Sequence, residues 1–233
     1  MQQIIGQLLW YARCVDPTLS KLGSQQANPT IQVERAAERL LLYVASWPNA
    51  VTTFRASNMN LILYADASYL SESKSRSRAG GMHFLGDTLH PKIQKSNGCI
   101  NILSSIIPVV CSSTTEAEYA AVFPNACLAE STRRTLNELG YPQEATPIFT
   151  DNSCAVALAN GTGRHARATS NAIDMRFNWI QDRIQQGHFV VSWTPGHDNY
   201  ADFLTKALPT KEHLRQRSSF VSYVTPPPTP ASC

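Results

Sequence analysis

Leu61-Ile62-Leu63-Tyr64-Ala65-Asp66-Ala67-Ser68 is a short apolar run closed by a carboxylate. It reads as a buried strand with an acid at its edge. Three more acidic motifs border apolar runs: Thr115-Glu116-Ala117-Glu118-Tyr119, Phe149-Thr150-Asp151-Asn152 and Asn199-Tyr200-Ala201-Asp202. Acids so placed can be gathered at the edge of one sheet, where they hold hard divalent cations through oxygen. Two such ions a few ångströms apart cleave phosphodiesters by activating a water and stabilising the leaving oxygen. The pattern therefore points to a nuclease. Taken singly, each motif has a plainer reading: an Asp that caps a turn, or a Glu that faces solvent.

Outward from that strand, Arg78 and two glycines lead into a second strand at Met82-His83-Phe84-Leu85, after an exposed loop at Ser71–Ser77. The Ile- and Val-rich segment from Cys99 to Cys111 reads as a third strand, broken at Pro108. A long helix is expected from Ser113 to Leu139, capped by Ser113 or Thr114 and kinked or split by Pro124. A strand at Pro147–Thr150, helices at Asn152–Asn160 and Asn171–Gln186, and an alternating strand at His188–Trp193 follow. A last helix is expected to begin near Asn199. Strands followed by alternating helices and strands imply an α/β fold, a mixed sheet covered by helices.

Residues 1–57 read as mainly helical. One apolar stripe comprises Ile4, Leu8, Leu9 and Ala12, and another comprises Val33, Ala36, Ala37, Leu40, Leu41 and Val44. The expected organisation is an N-terminal helical appendage (1–57), a main domain (58–210) and a partly disordered tail (211–233) that carries Pro226–Pro230.

The 233 residues give room for one sizeable domain with a smaller appendage. The formal charge of +3 is only mildly basic, so it supports a nucleic-acid partner weakly. Six scattered cysteines form no Cys-x-x-Cys pair, which points away from a zinc or redox motif and toward reduced thiols. No apolar run approaches the roughly 20 residues that span a bilayer. A soluble intracellular protein is the expectation.

The motifs also carry a family resemblance. Tyr64-Ala65-Asp66-Ala67-Ser68 resembles the Tyr-Thr-Asp-Gly-Ser strand of ribonuclease H. Ser112-Ser113-Thr114-Thr115-Glu116-Ala117-Glu118-Tyr119 resembles, with one extra Thr, the Ser-Ser-Thr-Glu-Ala-Glu-Tyr motif of copia-type retrotransposon polyproteins. Phe149-Thr150-Asp151-Asn152, Ile173-Asp174-Met175-Arg176-Phe177 and Asn199-Tyr200-Ala201-Asp202-Phe203-Leu204-Thr205-Lys206 are similar to further segments of that family. Upstream, Ile5-Gly6-Gln7-Leu8-Leu9-Trp10-Tyr11-Ala12, Asp16-Pro17 and Ala36–Tyr43 resemble the segment that joins the polymerase to its ribonuclease H domain.

The resemblance implies a ribonuclease H-like fold, a five-stranded mixed sheet flanked by helices. It further implies catalytic Asp66, Glu118, Asp151 and Asp202 holding two Mg2+ ions, with Mn2+ as a substitute. The implied substrate is the RNA strand of an RNA–DNA hybrid. The implied partner is the polymerase part of the same polyprotein, in a cytoplasmic virus-like particle. Ser68, Asn152, Arg164 and Arg167 are candidate nucleic-acid contacts. The bland reading of Arg164, His165 and Arg167 is a solvated loop. His197, five residues before Asp202, is a candidate auxiliary residue or simply a turn residue. Ala172 replaces the histidine of the Asp174 signature, so Asp174 and Arg176 read as structural partners. Two alternatives stand beside the nuclease: a catalytically inactive remnant that binds nucleic acid or serves as a structural module, and a DNA-strand-transfer enzyme of similar fold.

Overall fold

The computed structural model describes residues 2–20, 30–87, 97–162 and 171–223, the last stretch without the side chains of 171–174. In chain order the elements are α1 (Gln2–Cys14), α2 (Ile31–Ser46), β1 (Ala50–Val51), β2 (Asn60–Glu72), β3 (Arg76–Gly86), β4 (Cys99–Ile106), α3 (Thr114–Glu138), β5 (Thr146–Thr150), α4 (Ser153–Ala159), α5 (Asn171–Gln185), β6 (Phe189–Trp193), α6 (Asp202–Thr205), α7 (Thr210–Arg217) and β7 (Ser222–Tyr223).

The main sheet has the order β4-β3-β2-β5-β6. The β2–β3 and β3–β4 pairs are antiparallel, and the β2–β5 and β5–β6 pairs are parallel. This is the five-stranded mixed sheet, covered by helices, that the motifs imply. β2 is central because it is apolar on both sides and buried from Leu61 through Ala67. Its alternation divides the core. Leu61, Leu63 and Ala65 pack with Val122, Ala126 and Ala129 of α3 and with Ile180 of α5. Ile62 and Tyr64 pack on the other side with Phe203 and Leu204 of α6 and with Phe220 and Val221.

Two sequence expectations are corrected and a third is refined. Ser71–Ser77 is a strand hairpin rather than an open loop. β2 continues to Glu72, the chain turns at Ser73–Ser75 with positive φ at Lys74 and Ser75, and Ser77 is fully buried in β3. Its hydroxyl accepts a 3.1 Å bond from the Leu70 backbone N–H, which ties the hairpin shut.

α3 runs through Pro124 without splitting. The following residue anchors the helix to the sheet. The Asn125 side-chain amide donates to the carbonyls of Gly80 (3.0 Å) and Ala121 (2.9 Å), and its oxygen lies 3.0 Å from His83 Nε2. Gly81 leaves the room, since a Cβ there would lie 1.6 Å from Asn125 Oδ1. These tertiary bonds compensate for the N–H that proline lacks.

The helix expected near Asn199 starts at Asp202, after a 3-10 turn at Gly196–Asp198, and is the single turn of α6, with α7 following. Asn199 is buried, donates to the Ala65 carbonyl (3.0 Å) and accepts from the Ala201 N–H (3.2 Å). Its side chain thus takes bonds that a helical backbone would otherwise make.

The N-terminal segment and the described part of 211–233 fold together. β1 pairs antiparallel with β7. Arg217 and Asp16, each 1% exposed, meet at 2.6 Å. The guanidinium lies 5.1–5.6 Å from the ring centres of Tyr43, Trp47 and Tyr223. Residues 211–223 are therefore helix and strand rather than loose chain, whereas Pro226–Pro230 falls outside the described residues. The apolar stripe of α2 is narrower than its pattern, with Ala37 buried and Leu41 exposed.

Candidate active site

The site forms where β2, β5, α3 and α6 meet. Asp66 lies on β2 and is fully buried. The parallel register pairs Tyr64 with Phe149, so two residues further on Asp151 stands level with Asp66. Asp151 is itself held in place: Trp193 Nε1 donates to its carbonyl at 3.0 Å. A Cβ on Gly196 would lie 3.1 Å from its Oδ2, so the glycine lets the following turn come close. Glu118 enters from the start of α3. That helix is capped by Ser113, whose hydroxyl accepts from the Glu116 N–H at 3.1 Å, while Glu116 accepts from the Ser112 N–H at 2.7 Å. Glu118 is 4% exposed.

The carboxylate oxygens of Asp66, Glu118 and Asp151 lie within 4.8 Å of one another. Asp202 is linked to Asp66 differently. Lys206 Nζ lies 3.0 Å from Asp66 Oδ1 and 3.0 Å from Asp202 Oδ1, and the Thr205 hydroxyl donates to Asp66 Oδ2. α6 reaches Asp66 because β3 carries glycine opposite it, in the Asp66–Gly80 pair. A Cβ on Gly80 would lie 2.6 Å from Thr205 Cγ2 and 3.0 Å from the Ala201 carbonyl.

Crowded carboxylates in low dielectric resist ionisation. Burial, and next the charge of Asp202, push the Asp66 carboxyl up to about 7 against the pull of Lys206. Burial again comes first for Glu118, followed by Asp66 and Asp151, and together they push it up to about 9. Asp202 is also raised, by burial, with Lys206 opposing. Lys206 is raised because its two carboxylates outweigh its own partial burial. An all-oxygen, strongly anionic and mostly buried donor set suits a hard divalent cation.

The remaining candidates are dispersed. The Ser68 hydroxyl is 2.6 Å from that of Ser71. Asn152 caps α4, its side-chain oxygen accepting from the Ala155 N–H at 3.0 Å, so that oxygen already has a structural partner. His197 projects outward, two-thirds exposed and 3.4 Å from Asp198 Oδ2, while its carbonyl accepts from Arg215 and Gln216 of α7. Arg164, His165 and Arg167, and the side chain of Asp174, lie outside the described residues. Arg176 stacks its guanidinium 5.6 Å from the Phe123 ring centre. The motif alone assigns no role to Thr205 or Lys206, although the four-residue spacing from Asp202 to Lys206 is the signature of a helical ion pair.

No protein-family model matches the chain. A retrovirus-related Pol polyprotein from transposon TNT 1-94 of Nicotiana tabacum is 27% identical over 209 residues, or 88% of this chain and 15% of the polyprotein. One from transposon RE2 of Arabidopsis thaliana is 29% identical over 215 residues, again 88% of this chain and 14% of the relative. A Ty1-ER2 Gag-Pol polyprotein of Saccharomyces cerevisiae is 25% identical over 154 residues, covering 65% of this chain and 8% of the relative. The chain thus spans about a seventh of the length of its plant relatives. Among solved structures, LC11-RNase H1 in complex with an RNA/DNA hybrid overlaps with a TM-score of 0.44 at 15% identity, covering 63% of this chain and 94% of that one. A foamy viral protease-reverse transcriptase with an RNA/DNA hybrid overlaps at 0.39 and 18%, covering 64% and 20%. Strand order and register, not these overlaps, carry the fold.

Proposed function

The homologues of this chain are retrovirus-related Pol polyproteins of copia-type transposons, and on that footing we propose that it is their ribonuclease H part, hydrolysing the RNA strand of RNA–DNA hybrids made in reverse transcription. The observation that carries this reading is the convergence of Asp66, Glu118 and Asp151 within 4.8 Å, beside an Asp202 tied to Asp66 through one ammonium.

The donor set fits magnesium, with manganese as a substitute. Asp66, Glu118 and Asp151 would hold one ion, and Asp66 with Asp202 a second. When bound, such a pair activates the attacking water and stabilises the 3′ leaving oxygen. The protein's own part is preorganisation. Trp193 and Gly196 fix Asp151, and Gly80 and Thr205 seat α6 against Asp66. The packed backbones of β2 and α3 hold Asp66 and Glu118 close despite the repulsion that their burial sharpens. The RNA 2′-hydroxyl is the handle by which such a site separates RNA from DNA, and Ser68 and Asn152 are the described polar residues proposed to meet the hybrid.

Residues 1–57 serve in this reading as the connection to the polymerase, 58–210 as the nuclease and 211–233 as a C-terminal extension, within a cytoplasmic virus-like particle. No helix of the described residues is long and apolar enough to cross a membrane. The helix that carries Glu118 runs unbroken through Pro124.

Incubation of the protein with a labelled RNA–DNA hybrid and Mg2+, beside an Asp151→Asn variant, tests the proposal. RNA-strand cleavage that the variant lacks is the expected result. A folded protein that binds hybrid but leaves it intact overturns the enzymatic reading in favour of a binding module.

A further inference from the structure

We propose that Lys206 is an internal cation that holds the Asp66–Asp202 half of the site together and is displaced by the second of the two divalent ions. This rests on the metal-dependent reading above. The acidic site has two unlike halves. Asp66, Glu118 and Asp151 each bring one oxygen within 4.8 Å of the others, and Lys206 bonds this group only at Asp66. In the other half, one ammonium contacts Asp66 Oδ1 and Asp202 Oδ1 at 3.0 Å each. An ion that bridges Asp66 and Asp202 needs the same oxygens, and a divalent cation and an ammonium repel strongly at such range. The two are therefore competitors.

The side chains are arranged for exchange. Asp66 is 0% and Asp202 12% exposed at the side chain, whereas Lys206 is 40% exposed. The acids are fixed: Asp66 accepts from Thr205, and Asp202 sits in a buried helical turn seated against Gly80. The lysine has a long flexible stem with a route to solvent. The first ion meets Lys206 only across Asp66, whereas the second would take the ammonium's own position between Asp66 and Asp202. The second must move the lysine. Lys206 thereby keeps Asp66 and Asp202 apposed in the metal-free protein and sets the metal concentration at which the site becomes complete.

Calorimetric titration of the full chain with Mn2+, paired with melting of the metal-free protein, tests this. Wild type is expected to show a tighter and a weaker site. Lys206→Met should tighten the weaker site by roughly tenfold, since one like charge is removed. It should also lower the metal-free melting temperature by roughly 3 °C or more, a deficit that saturating Mn2+ restores. Lys206→Arg, which keeps the charge, should leave the second site weak. Lys206→Gln gives the same reading as the Met variant if the latter fails to fold. A second site that is unchanged or weakened in both neutral variants overturns the proposal while leaving a hybrid-cleaving wild type intact. If wild type and variants alike bind no divalent ion, the metal-dependent reading falls and this inference with it.

Discussion

At Asp16 and Arg217 two opposite charges, each 1% exposed, meet at 2.6 Å inside a ring of Tyr43, Trp47 and Tyr223, whereas Asp66 gathers Glu118 and Asp151 on one side and meets Asp202 through the Lys206 ammonium on the other. Both places bury charge, but only the first matches one cation to one anion. Arg217 donates from both Nε, at 2.9 Å, and Nη2, at 2.6 Å, to the single oxygen Asp16 Oδ2, and this pair fastens the N-terminal segment to the C-terminal helix. The acidic site remains electrostatically unbalanced, and its carboxyls are driven toward protonation at about 7 and about 9. A protein that folds around such a defect has placed instability where a ligand can relieve it. The contrast separates a site that holds the fold from a site that the fold holds.

The contrast breaks first at the acids. Asp66→Asn or Asp151→Asn should lower hybrid cleavage by more than about 100-fold, the upper range for losing even an outer partner of a metal ligand. Gel-resolved cleavage rates measure this, and the circular-dichroism spectrum should stay that of the parent. If Asp151→Asn retains activity within a few-fold of the parent, the carboxylate group is not the reaction centre.

Arg217→Ala should do the reverse, acting on the fold rather than the chemistry. It leaves Asp16 buried without its partner, which costs about 3–5 kcal/mol. Urea unfolding reads the loss directly. A cost below about 1 kcal/mol would mean that the aromatic ring, and not the ion pair, joins the two ends of the chain.

Gly80→Ala tests the junction between fold and site. The added Cβ presses on Thr205 Cγ2 and the Ala201 carbonyl, an overpacking that costs about 1–3 kcal/mol. Because it lifts α6 from Asp66, cleavage per folded molecule should also fall. A melting-temperature loss with unchanged kcat would show that α6 is seated by something other than the glycine.

The most diffuse effect, spread over several pH units, is a pH slope. Asp66 and Glu118 have higher pKa values folded than unfolded, so the protonated acids favour the fold. Their contribution is fully present below the unfolded values of about 4 and is lost as pH rises through about 7 and about 9. The metal-free melting temperature should therefore fall steadily between pH 5 and pH 9. Saturating Mg2+ should flatten the slope. A metal-free protein whose stability rises over that interval would contradict the electrostatic picture of the site.

Much of the sheet was readable in the sequence because a buried central strand needs a dense apolar run, and Leu61–Ala67 is one. The acids were legible for a related reason: each interrupts or borders a run whose remainder is apolar. Pro124 misled because its penalty is local, while Asn125, Gly80 and His83 offset it from elsewhere in the fold. Ser71–Ser77 misled because a serine-rich hairpin has the composition of a loop. The role of Asn199 was hidden too, since its bond to the Ala65 carbonyl spans most of the chain.

What the sequence alone determined is therefore the nearest-neighbour part of this protein: the apolar run of β2, the helical stripe of α1, the cap of α3 and the order of the acidic motifs. Periodicity and capping act over a few residues and leave a direct imprint on composition. Only the tertiary structure decided that Asp66, Glu118 and Asp151 converge, that Lys206 bridges Asp66 to Asp202, and that Arg217 closes on Asp16 from 201 residues away. Those pairings depend on strand register and on the close approach that Gly80 permits, which arise from packing many elements together and appear in no single segment of the chain.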